Sequence, residues 1–221
     1  MRTRILSIVS AVALLLALSG VAVAARWEQA NVMSPDITAA GLVDGVRQVV
    51  VANGAGILRT PSGVTASLSM PTPEPGSYAY PGGPGTTGTT EVGPPEAYSL
   101  WVFIFFNPGA CTAPCDGGDL FASNDVANRV YAGAFNGGGH IVGGPKLNLA
   151  GHVDTGSQLF GGMNAESIQT ALDAGFNLAG AEIHLAVAPH GALTPELLPA
   201  SISTPVGTAP FWWVAIFGPA A

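Results

Sequence analysis

"AYSLWVFIFF" (Ala97–Phe106) is the stretch that decides the fold class. Seven consecutive apolar residues, Leu100 to Phe106, stand between Pro95 and the Asn107-Pro108 pair. A run this short, rich in aromatic and β-branched side chains and bounded by breakers, reads as a strand buried on both faces. The end of the chain echoes it. Trp101-Val102-Phe103-Ile104-Phe105 compares with Trp213-Val214-Ala215-Ile216-Phe217, and a proline follows each, Pro108 and Pro219. The echo predicts two central strands, one in each of two packed sheets.

Working outward, "GVTASLSM" (Gly63–Met70) alternates strictly. Val64, Ala66, Leu68 and Met70 mark a core face, and Thr65, Ser67 and Ser69 a wet one. "VRQVVVA" (Val46–Ala52) is a further strand, with "NGAG" at 53–56 read as the turn after it. More strands are expected at Arg129–Phe135, His140–Val142, Leu147–Val153, Ala181–Ala188 and Ser201–Thr204. The Gly-rich "NGGGH" and "IVGGP" lie between strands and read as hairpin turns. One helix is expected, capped by Asn164, with Ile168, Ala171 and Leu172 as its apolar stripe and Gly175 just past its end. The sum is an all-β fold, an antiparallel β-sandwich of about nine or ten short strands with one short helix.

The first twenty-four residues have a different character. Arg2 and Arg4 precede an apolar run from Ile5 to Leu18, and Ala22-Val23-Ala24 forms an A-x-A cleavage site before Ala25. This is the pattern of a secretory signal. The expected product is residues 25–221 as a single domain, secreted, periplasmic or at the cell surface, with no membrane association once the leader is removed; the alternative is an uncleaved anchor, since the uncharged Ile5–Ala25 is just long enough to span a bilayer. A Pro/Gly/Thr-rich loop or linker is expected at 71–95.

Composition narrows the partners. The chain has 7 basic and 14 acidic residues, and Lys146 is its only lysine. No basic patch can be assembled, which excludes nucleic acid and anionic lipid surfaces as partners. With 48% hydrophobic residues alongside 30 Gly and 18 Pro, the chain is a folded protein of short strands and many turns. The only cysteines, Cys111 and Cys115, suit a disulfide in an oxidising compartment, where it clips a turn.

The chemistry-bearing residues gather late in the chain. In "AEIHLAVAPHG" (Ala181–Gly191) a strand puts Ile183, Leu185 and Val187 on the core face. Glu182 and His184 then stand side by side on the other face, and His190 follows at the strand end. In "LNLAGHVD" (Leu147–Asp154), Asn148, His152 and Asp154 share the wet face. Glu182, His184, His190, His152 and Asp154 are therefore the candidate binding residues, with an open groove expected beside Glu182, His184 and His190. A second reading makes His140, His152, His184 and His190 ligands of a divalent metal such as Zn²⁺ or Cu²⁺, although their spacing matches no standard ligand motif. Asp116, Asp119 and Asp125 near Asn124 suit Ca²⁺ by residue type but lack the EF-hand spacing, and a solvated acidic turn is the simpler reading. No cofactor is required by any of this. Motifs for serine nucleophiles, zinc proteases and phosphate-binding loops are absent. The favoured role is a non-enzymatic binding or structural domain outside the cytoplasm, facing cell-envelope or extracellular components. A metal-binding exported protein and a secreted hydrolase using Glu182 or Asp154 are the alternatives.

"AYSLWVFIFFNPGACTAPC", "GHIVGG" and "AEIHLAVAPHG" together resemble a group of bacterial secreted proteins without an assigned activity. These share an aromatic strand running into Asn-Pro-x-x-Cys and a late A-E-x-H-L…H-G segment. The resemblance spans roughly residues 97–204 and implies export and a β-rich fold. The strand at Ala181, Ile183 and His184 is also similar to the A-H-I-H-x-G-like strand of the CHRD domain, with Glu182 in place of the first histidine. That similarity implies a binding or structural role outside the cytoplasm.

Overall fold

The structure is a computed structural model. It describes residues 26–36, 46–74, 95–111, 114–122, 129–156, 165–193, 195–203 and 212–220. The expected leader at 1–24, most of the loop at 71–95, and Asn124, Asp125 and Asn164 lie outside the described residues.

Eight strands are described: β1 (Trp27–Met33), β2 (Val49–Arg59), β3 (Gly63–Pro71), β4 (Glu96–Phe105), β5 (Ala132–Val142), β6 (Lys146–Asp154), β7 (Glu182–Ala192) and β8 (Trp213–Phe217). Three short helices are described with them, where one was expected: α1 (Gly117–Ala122), α2 (Ala165–Asp173) and α3 (Ala200–Ser203). All strands belong to one antiparallel sheet in the order β5-β4-β7-β8-β1-β2-β3-β6. The all-β class holds, but the architecture is one curled sheet rather than a sandwich of two. The echoing strands β4 and β8 both pair with β7, so they belong to the same sheet.

The sheet curls until its edge strands, β5 and β6, meet across the turn at 143–145. Their backbones approach so closely that a Cβ on Gly151 would run into the carbonyl oxygen of Gly137. The result is a nearly closed barrel, which removes most of the exposed edge that an open sheet presents. β4, β5 and β6 follow one another, and β7 returns to lie beside β4, a Greek-key arrangement.

Alternation builds the interior. Val64, Ala66, Leu68 and Met70 of β3 point inward, as the period-two pattern predicts. They meet Leu100, Val102 and Ile104 of β4 and Ile183, Leu185 and Val187 of β7. Each of these side chains larger than alanine contributes about 1.5–3 kcal/mol by leaving water. β4 and β7 also bury their outer faces. Trp101 and Phe105 join Ala132, Ala134, Ala186, Ala188, Val214, Cys115 and Leu120 in a second apolar cluster outside the barrel. Trp212 stacks on Trp101 and Phe103 at centroid distances of 6.5 and 5.8 Å. The continuous apolar run of β4 thus reflects a strand covered on both sides.

Three local expectations are corrected, and one strand is added. "NGAG" is not a turn but lies inside β2: Asn53 adopts φ 52°, its N–H is held by Asn31 Oδ1 at 3.0 Å, and β2 bulges there against β1. "NGGGH" likewise lies inside β5. Gly138 sits in a bulge opposite Leu100/Trp101 at φ 122°, a conformation that side-chain-bearing residues rarely adopt, next to the close approach of Gly137 to Gly151 of β6. The strand expected at Ser201–Thr204 is instead α3. Prolines open this segment, Pro195 beginning a 3₁₀ turn and Pro199 accepting from Ile202 N at 3.0 Å. β1 was not foreseen, because "WEQANVM" has a weak apolar face. The expected helix is α2. It ends in a Schellman motif, with Gly175 at φ 86°, Gly175 N donating to Leu172 O and Phe176 N to Ala171 O, both at 3.0 Å.

Candidate functional site

Strand β7 carries the expected pair. His184 Nε2 donates to Glu182 Oε1 at 2.7 Å, as two side chains two residues apart on one strand face should allow. The same oxygen accepts the backbone N–H of Cys115 at 2.8 Å. The His184 ring lies 4.9 Å from that of Phe105, which sits opposite Glu182 on β4. Cys111 and Cys115 are joined in a disulfide. Glu182 therefore fastens Cys115, and through the disulfide Cys111, onto the outside of the barrel. Burial opposes the charge on Glu182. The His184 hydrogen bond, the Cys115 N–H and the His184 charge outweigh it, and they hold the carboxyl below its ordinary value.

The groove expected here is covered. Glu182, His184 and His190 are 8%, 7% and 7% exposed. Near the other end of β7, Ser99 Oγ lies 2.8 Å from His190 Nε2 and accepts from Trp101 Nε1 at 2.8 Å. A serine beside an imidazole has the makings of a nucleophile and its base, but Ser99 is wholly buried. A carboxyl held charged and enclosed, like Glu182, is also poorly suited to donate protons near neutrality.

The other two histidines stand apart. His152 is exposed on β6, with Thr65 Oγ1 2.9 Å from Nδ1 and Nε2 donating to Asp154 Oδ1 at 3.1 Å. His140 is exposed near the end of β5, opposite Tyr98. β6 is an edge strand and does not neighbour β7, so the four imidazoles do not converge. Among the described residues, the group of metal-ligating type with three members close together is Cys111, Cys115 and Asp119. Both of its sulfurs are committed to the disulfide. Asp116 and Asp119 form a capping box for α1: Asp119 N donates to Asp116 Oδ1 at 3.0 Å and Asp116 N to Asp119 Oδ2 at 2.9 Å.

Two charged residues that the sequence reading passed over are buried at opposite ends of the barrel. Arg59 ends β2. It donates to Glu28 Oε1 and Oε2 at 2.7 and 2.9 Å and to the carbonyls of Leu178, Ala181 and Gly218 at 3.0, 2.5 and 2.5 Å. Glu96 begins β4 at the other end, opposite Val142 and Ala192, and is 1% exposed. Tyr98 OH donates to its Oε2 at 2.7 Å, while Oε1 has no hydrogen-bond partner. A cavity of about 170 Å³ opens at this end, lined by Thr72, Pro73, Glu74, Glu96, Val142 and Gly143–Pro145. The signal for both residues was a lone charge flush against an apolar strand run.

No protein-family model, curated protein or solved structure matches the chain. Among the described residues, no helix is long and apolar enough to cross a membrane.

Proposed function

We propose that this chain works outside the cytoplasm as a non-enzymatic binding or structural domain whose partners are cell-envelope or extracellular components. The observation that carries the reading is the Cys111–Cys115 disulfide, built into the clip that Glu182 holds on the barrel. Disulfides of this structural kind persist in oxidising compartments. The basic, apolar and A-x-A pattern of residues 1–24 agrees with that compartment. The resemblance of residues 97–204 to bacterial secreted proteins, and of the Ala181–His184 strand to the CHRD domain, point the same way. What supports a non-enzymatic role is the use of Glu182, His184, Ser99 and His190 as buried internal fastenings.

Expression of the full chain in a bacterial host with intact export tests this. The expected product begins at Ala25, is recovered outside the cytoplasm, and has the mass of the oxidised Cys111–Cys115 form. Cytoplasmic protein with an intact Met1 leader and two free thiols would contradict the reading.

A further inference from the structure

We infer that the cavity beside Glu96 is a binding site for a primary ammonium group on a short apolar stem. The inference names a ligand class for the binding role proposed above and rests on that reading. Glu96 is nearly fully buried, and its Oε1 lacks a hydrogen bond. A buried acceptor in that state loses its hydration without return, and native structures rarely leave one so without a reason. Tyr98 already occupies Oε2, so the carboxyl is oriented and the unpaired acceptor is Oε1.

The lining selects the sign and shape of the ligand. Glu74 adds a second carboxylate at the exposed rim, and among the described residues no basic side chain lines the cavity. The whole chain carries a net charge of −7, which draws cations toward it. Pro73, Val142 and Pro145 supply apolar wall for a hydrocarbon stem. A cavity of about 170 Å³ holds a ligand of only a few heavy atoms. A bare divalent cation gains less from the apolar wall, and two carboxylates among the described lining residues fall short of the oxygen-rich shell that Ca²⁺ takes. The mouth of a barrel is a common place for a small-ligand site.

Calorimetric titration of the full chain tests the inference with three probes: n-butylammonium, Nα-acetyl-lysinamide and the neutral n-butanol. The expected result is saturable binding of one or both cations in the millimolar range, with none for butanol. Tighter binding of butylammonium names a free amine as the source, and tighter binding of the lysine probe names a protein side chain. E96Q should weaken the cations at least tenfold. E74Q, an exposed change that leaves the fold intact, should weaken them roughly two- to fivefold and remain informative if E96Q does not fold. Absence of saturable cation binding, equal binding of butanol, or unchanged affinity in E74Q would overturn the inference. Because the titration does not depend on where the protein is made, its failure leaves the export result standing, and the reverse holds too.

Discussion

At one end of the barrel Arg59 is met by five acceptors; at the other, Glu96 has Tyr98 on one oxygen and no hydrogen bond on the second. β7 runs between the two ends, from the Ala181 carbonyl that Arg59 holds to Ala192 opposite Glu96. The difference separates two uses of a buried charge. Around Arg59, the ion pair with Glu28 and three backbone carbonyls tie the ends of β2, β7 and β8 together. Around Glu96, an acceptor is left over and a cavity lies beside it. A satisfied network belongs to the architecture, and an unsatisfied one suits a ligand.

The largest effect is expected where the network is complete. R59M keeps the apolar stem but leaves Glu28 and three carbonyls without their donor, and should cost about 3–5 kcal/mol in urea unfolding. The clip on the outer face should cost less. C111S/C115S removes a cross-link closing a short loop, and chain entropy gives a loss of about 2 kcal/mol in the same measurement. Glu182 should show itself through pH. Its folded pKa lies below the ordinary 4.5, so its contribution is complete above that value and is lost as the pH falls through the folded pKa. Stability of the parent relative to E182Q should therefore shrink as the pH falls below about 4.5. A difference that grew as the pH fell below about 4.5 would contradict the hydrogen-bonded pair. The smallest effect is expected at the Glu96 end, where E96L/Y98F replaces both polar partners with apolar groups of similar shape. Its stability should match or exceed the parent's to within about 1 kcal/mol.

Much of the barrel was legible because its signals are local. Alternation in β3 gave the inner face directly. The Schellman residues of α2, the inward set Ile183, Leu185 and Val187, and the Cys111–Cys115 pair were equally plain. The pairing of Glu182 with His184 followed from a two-residue spacing on one strand. What stayed hidden depends on segments distant in sequence. Nothing local tells that Cys111, Cys115, Leu120, Val130 and Trp212 cover the outer face of β4 and β7, so an open groove was expected where Glu182 and His190 are enclosed. The glycines of "NGAG" and "NGGGH" carry the composition of turns, and only the neighbouring strands show them to be bulges. Arg59 and Glu96 lacked any motif, because their partners Glu28, Leu178, Ala181 and Gly218, or the cavity walls at 72–74 and 142–145, assemble only on folding.

The most direct test of the contrast between the ends is urea unfolding of R59M and E96L/Y98F side by side. The account predicts a loss of about 3–5 kcal/mol for the first and no loss beyond about 1 kcal/mol for the second. A double variant as damaged as R59M would show that Glu96 and Tyr98 hold the barrel together as Arg59 does, and the distinction between its two ends would fall.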